Sequence, residues 1–169
     1  REAGEVEKAI PFCFIAGDEA AGRYAPAEAS AHYQFAFEMA KEISDPDTSA
    51  RSQIKAVLKL ANVIVKRDQL EANLGNLEYA RKLAEEINHP VRLCQIQYWI
   101  GRSYYVMGRF NLAAEFARLA LDIAETLGDD ASIQTGPVNL LARVHCLMGE
   151  PVAAISYATR SVKQMRGLG

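Results

Sequence analysis

Three histidines, three cysteines and a scatter of paired carboxylates are the residues of this chain that carry chemistry most often. His32, His89 and His145 are far apart in sequence. A zinc site would need His145 and Cys146 to converge with further ligands, but adjacent residues on a helix point in different directions, so no metal is expected. Cys13, Cys94 and Cys146 are odd in number, widely spaced and without a Cys-x-x-Cys pair. That usage predicts small apolar core residues in a reducing, cytoplasmic setting rather than a disulfide framework. Glu85-Glu86, Asp129-Asp130, Asp45 and Asp47 fall where helices would end or face water. They predict solvation and capping, with Asp129 or Asp130 capping the helix that follows. The chain has no Gly-x-x-x-x-Gly-Lys phosphate loop, no Gly-x-Gly-x-x-Gly, no Gly-x-Ser-x-Gly and no His-Glu-x-x-His. The expectation is a non-catalytic protein with no cofactor.

The bulk numbers agree with an ordinary globular composition: 169 residues, half hydrophobic, 24% charged, net charge −2. A slightly acidic chain has no general attraction to nucleic-acid phosphates. It also has no run of about 18 apolar residues of the kind that spans a bilayer. Neither nucleic acid nor membrane is an expected partner. No secretory signal pattern follows Glu2 and Glu5. The chain begins at Arg1 and stops at Gly169 directly after an apolar helical pattern. Helical arrays usually end in a polar cap, so the expectation is a piece of a larger polypeptide.

The elements that must position these residues are helical throughout. Ile54, Val57, Leu58, Ala61, Ile64 and Val65 form one apolar stripe, and Leu112, Phe116, Leu119, Ala120 and Ile123 form another. Breaks fall at Arg23 to Pro26, Ser44 to Asp47, Lys66 to Asp68, Asn88 to Pro90, Gly108-Arg109, Gly128 to Asp130 and Gly149 to Pro151. The pattern predicts eight helices near 4–22, 26–43, 49–66, 70–87, 90–107, 110–127, 131–148 and 151–166. Pro26, Pro90 and Pro151 suit first turns. His89 is expected to end a helix beside Pro90. Pro137 implies that the seventh helix either starts near 137 or is kinked there, and Gly136-Pro137 favours a loose or broken first turn.

The helices repeat. Gly101, Gly108, Ala113 and Ala120 recur 41 residues later as Ala142, Gly149, Ala154 and Ser161. The same offsets hold Ala61, Asp68, Asn73 and Ala80 upstream, and Gly17, Tyr24, Ala29 and Ala36 before those. A period in this range means a stacked array, and small residues at fixed places let helix axes approach closely.

On these positions the chain resembles the tetratricopeptide repeat. Ile100-Gly101, Tyr104, Gly108, Phe110, Ala113 and Ala120 carry the resemblance best, followed by Leu141-Ala142, Gly149 and Ala154. The second repeat keeps Leu60-Ala61, Leu70 and Ala80 but has Asp68 and Asn73 where Gly and Ala are usual. The spacing exceeds the common form of about 34 residues. It is similar to the long variety of kinesin light chains, polarity adaptors and bacterial signalling proteins. The stretch from Glu7 to Tyr33 is similar to the segment that follows the nucleotide-binding module of bacterial regulatory ATPases, some of which carry an adenylate cyclase domain. The resemblance implies an all-α, right-handed superhelical solenoid of four helix hairpins. It would form one domain over 1–169, with repeats at 4–44, 49–88, 90–128 and 131–167. It also places His145 where a packed Tyr is usual, as a partly buried packing residue.

The resemblance further implies that the first helix of each hairpin lines a concave face. Carried onto this sequence, that face holds Phe14, Asp18 and Ala21 in the first repeat. The second supplies Lys55, Leu58, Asn62, Val65 and Lys66. The third supplies Gln95, Tyr98, Arg102, Tyr105 and Val106, and the fourth Asn139, Arg143, Cys146 and Leu147. From the second repeat onward the set is rich in Lys, Arg, Asn and Tyr and has no carboxylate. Lys55, Asn62, Lys66, Tyr98, Arg102, Tyr105, Asn139 and Arg143 are the expected partner-binding residues. Such donors suit a protein or peptide partner with an acidic extended segment or a terminal carboxylate. The Lys and Asn carboxylate clamp of chaperone-binding members is missing, since Phe14 and Asp18 stand in its first two positions. Two other expectations remain open: homo-oligomers stacked through exposed end helices, and a receptor for a small molecule or secreted peptide.

Overall fold

The structure, a computed structural model, describes residues 2–64, 67–128 and 131–167. Among them are eight α-helices and no strand: α1 (Glu2–Gly22), α2 (Pro26–Ala40), α3 (Pro46–Val63), α4 (Arg67–Glu86), α5 (Pro90–Val106), α6 (Phe110–Thr126), α7 (Ala131–Leu147) and α8 (Pro151–Gly167). They fall into two compact units, Arg1–Asn88 and His89–Gly169. Within each unit every helix packs on the next in sequence, and in the second α5 also packs on α7. Each unit is thus two helix hairpins with short turns.

The turns explain the repeat. Tyr24, Gly108 and Gly149 hold the same repeat position, and all three take a positive φ, of 58°, 77° and 75°. Each donates its N–H to the carbonyl three residues back: Ala21, Tyr105 and Cys146, at 3.0, 3.0 and 3.2 Å. The next residue reaches five back: Ala25 to Ala20, Arg109 to Tyr104 and Glu150 to His145, each at 2.9 Å. This pair of bonds closes a helix through one left-handed residue, which glycine adopts without strain and tyrosine does not.

Helix starts are set by proline and one side-chain cap. Pro26, Pro46, Pro90 and Pro151 each open a helix, where the missing N–H costs nothing. Asp45 caps α3 by accepting from the Thr48 N–H at 2.8 Å. The third helix therefore begins at Pro46, three residues before the expected start at 49, because Ser44 to Asp47 is a cap as well as a break. Two further expectations, the break at Lys66 and a cap at Asp129 or Asp130, fall outside the described residues or on undescribed side chains. A third is corrected. Helix α7 runs without interruption through Pro137, although proline there leaves the Ile133 carbonyl without its usual helical partner. Packing outweighs that loss, for Val138, Leu140, Leu141 and Val144 are all buried on α6 side chains.

In the second unit Gly101 is the close-approach point. A Cβ there would lie 3.2 Å from the Ala113 carbonyl oxygen and 3.2 Å from the Ala117 nitrogen. Around it Ile100, Ala113, Ala117 and Leu141 are wholly buried; a fully buried Leu or Ile side chain contributes about 1.5–3 kcal/mol. His145 is also buried. Its ring stacks on Tyr157 with centroids 5.5 Å apart, Nε2 faces the Arg118 guanidinium at 3.3 Å, and Nδ1 pairs with Glu150. It is a packing residue tying α6, α7 and α8.

The first unit has its own core of Ile10, Phe14, Tyr33, Phe37, Ile54, Val57 and Leu77. Gly17 is what lets Tyr33 in: a Cβ on Gly17 would stand 2.4 Å from the tyrosine ring. The Tyr33 hydroxyl donates to Asp18 at 2.6 Å, and Lys59 Nζ reaches the same carboxylate at 2.7 and 2.8 Å.

Candidate functional site

On α5, Tyr98, Arg102 and Tyr105 are spaced four and three residues apart, so they share one face. On α7, Gly136, Asn139, Leu140 and Arg143 do the same. Because α5 packs against α7, the two faces meet and enclose a cavity of about 350 Å³. Five of the residues expected to bind a partner, namely Tyr98, Arg102, Tyr105, Asn139 and Arg143, line it together with Val106, Gly136 and Leu140.

Each polar wall is held. Tyr98 lies against Gly136, where a Cβ would sit 3.3 Å from the ring, and meets Trp99 edge to face at 5.5 Å. Arg143 lays its guanidinium over Tyr105, 4.7 Å from the ring centroid, and donates to the Tyr105 hydroxyl at 3.0 Å. Arg102 is exposed, with its guanidinium 4.8 Å from the Trp99 centroid. Among the described residues neither arginine is paired with a carboxylate, and none lines the cavity. Aromatic faces fix both cations without neutralising them.

A second, apolar depression of about 490 Å³ adjoins the first and shares Tyr105, Asn139 and Arg143 with it. Ala142, Cys146 and Leu147 from α7 and Ala154, Ile155 and Ala158 from α8 complete it. Cys146 is exposed there, which corrects its reading as a core residue. Cys94 does lie in the core, where its Sγ donates to the Ala120 carbonyl at 3.2 Å and burial pushes its pKa up to about 11. Burial also raises the half-buried Cys13 thiol.

Apart from Gln95 on α5, the remaining expected groove residues lie in the first unit. Lys55 and Asn62 are exposed on α3, and Lys55 Nζ sits 4.2 Å over the Phe14 ring. Lys66 and Val65 lie outside the described residues. Phe14 and Leu58, expected to face a groove, are buried instead. Asp18 is exposed but paired with Lys59. Desolvation raises its pKa, yet the hydrogen bonds from Lys59 and Tyr33 outweigh this and hold it below the usual carboxylate value. Gln95 is engaged by Arg92 at 2.9 Å.

Sequence reasoning missed Gly136, Leu140 and the α8 residues. The signal for α8 was present in Val152 and Ile155, apolar residues on a helix that leaves them 83% and 66% exposed. Among the described residues no group of three or more His, Cys, Asp or Glu converges to hold a metal ion. No helix there is long and apolar enough to cross a membrane.

No protein-family model matches the chain, and no curated protein sequence does. Among solved structures it is similar to the apo form of RapI, with a TM-score of 0.79 at 15% sequence identity. That likeness covers 94% of this chain and 43% of RapI. At this identity the likeness is one of fold alone, and it fits an all-helical, tetratricopeptide-like repeat architecture.

Proposed function

We propose that the second unit is a non-catalytic protein-interaction module that receives an extended acidic segment, or a terminal carboxylate, between α5 and α7. It would serve as the regulatory or sensing part of a larger signalling protein. One observation carries the reading: Arg102 and Arg143 are held on aromatic rings beside a cavity whose lining has no carboxylate. Positive charge kept unneutralised at a concave site favours an anionic partner, and a guanidinium grips a carboxylate with two parallel hydrogen bonds. The helical-repeat fold supports a protein as that partner.

Calorimetric titration with an acidic peptide tests this. Arg102→Glu together with Arg143→Glu is expected to abolish binding while the protein stays folded, with a stability loss of about 1–2 kcal/mol from the lost Tyr105 hydrogen bond and aromatic contacts; retained binding would refute the groove. A second reading, self-association, is favoured by Val152, Ile155 and Val162, all exposed on α8. Light scattering over a range of concentration separates the two. A dimer that Val162→Asp dissolves would support assembly through α8. A third reading, a small-ligand receptor, rests on the cavity volume of about 350 Å³, which falls within the usual range for small-molecule sites.

A further inference from the structure

The arginine-lined cavity and the apolar depression are neighbours on one helix. Arg143 borders both, and Leu147, one turn further along α7, lines only the apolar one. One turn advances about 5.4 Å along the axis. An extended peptide advances about 6.5–7 Å between residues i and i+2, whose side chains point the same way. The two spacings match closely enough for one short segment to fill both sites.

We propose that the occupant is a single extended segment carrying an acidic and a branched aliphatic side chain two residues apart. The acidic group enters between Arg102 and Arg143, and the aliphatic group lies on Leu147 and Ile155. This deepens the function proposed above and rests on it. The small side chains Ala142, Ala154 and Ala158 leave room for a branched group in the second site. The two arginines, without a carboxylate partner among the described residues, specify the charge in the first. Tyr105 and Asn139 form the shared wall between them.

Each site carries its own reporter. Trp99 is the single tryptophan and stacks under Arg102, so its emission reads the charged end. Cys146 is exposed in the apolar site while Cys94 is buried, so its alkylation rate, mapped by mass spectrometry, reads the other. The probes are acetyl-Gly-Asp-Gly-Leu-Gly-amide and its Leu-Gly-Asp reversal, each compared with Asn for Asp and Ser for Leu. One of the two orders is expected to shift Trp99 emission and to slow Cys146 alkylation with the same midpoint. Replacing either side chain should weaken both signals about tenfold, as loss of a buried aliphatic group or of a charge-assisted pair does. Ile155→Ser should reduce the Leu peptide to the level of the Ser peptide.

If Trp99 responds equally to Leu and Ser peptides and Cys146 stays reactive, the two-site occupant is wrong while the acidic groove survives. If no acidic peptide moves either reporter, both fall. If Cys146 becomes protected as protein concentration rises without peptide, a second copy covers the apolar site and the inference is overturned.

Discussion

The Arg143 guanidinium lies flat over Tyr105 and bonds its hydroxyl, joining α7 to α5 through a cation that stays free of carboxylate partners among the described residues. The hydroxyl contributes direction and the ring contributes position. Tyr105→Phe keeps the ring and removes the anchor. We expect acidic-peptide affinity to fall about tenfold while stability changes by about 1 kcal/mol or less, as for one partly exposed hydrogen bond. Calorimetry and thermal melting of the same variant check both.

Two glycines should respond to alanine with opposite signs. At Gly17 a Cβ would lie 2.4 Å from the Tyr33 ring, and that ring is buried and tethered to Asp18. Overpacking of this kind costs about 1–3 kcal/mol. Gly75, inside α4, has nothing within 4 Å of its would-be Cβ. There alanine should stabilise by about 1 kcal/mol through helix propensity alone. Urea denaturation of Gly17→Ala and Gly75→Ala measures the two shifts.

Tyr24 takes the left-handed conformation that glycine supplies at the equivalent turns, and its side chain is 93% exposed. Tyr24→Gly therefore relieves strain and gives up little packing. The expected gain is about 1 kcal/mol in unfolding free energy. No gain would mean that the tyrosine makes a contact worth as much as the strain.

Asp18 should make the first unit sensitive to acid. Its folded pKa lies below the ordinary aspartate value, so between the two values the unfolded chain binds more protons than the folded one. Its contribution is complete above about pH 4 and is lost as pH falls through the folded pKa. Asp18→Asn should lower stability at neutral pH and flatten the acid limb of a stability profile followed by circular dichroism. An unchanged acid limb would show that Lys59 and Tyr33 do not hold the carboxylate in solution.

Much of this protein is local in origin. Apolar residues three and four apart make helices wherever they occur, and Pro, Asp and Gly mark starts and ends through their own backbone chemistry. The order of eight helices and the small residues at their crossings were therefore legible from the chain. So were Tyr98, Arg102 and Tyr105 as one face, because helical spacing alone aligns them. Pro46 and Pro137 were harder. A proline can end one helix or open the next, and only the Asp45 cap and the buried side chains beyond Pro137 decide between the two.

The site itself belongs to tertiary structure. Basic and amide residues were spread along the sequence, and nothing local distinguishes Lys55 and Asn62 from Arg102 and Arg143. The packing of α5 on α7 gathers the two arginines around one cavity, while in the first unit Lys55 lies over the Phe14 ring. The docking of α8 on α7 then adds Ile155 to the neighbouring depression. Sequence alone determined which helix faces exist. Which faces meet was decided by side-chain volume at the crossings, where a Cβ on Gly101 or Gly136 would crowd its neighbours at 3.2–3.3 Å.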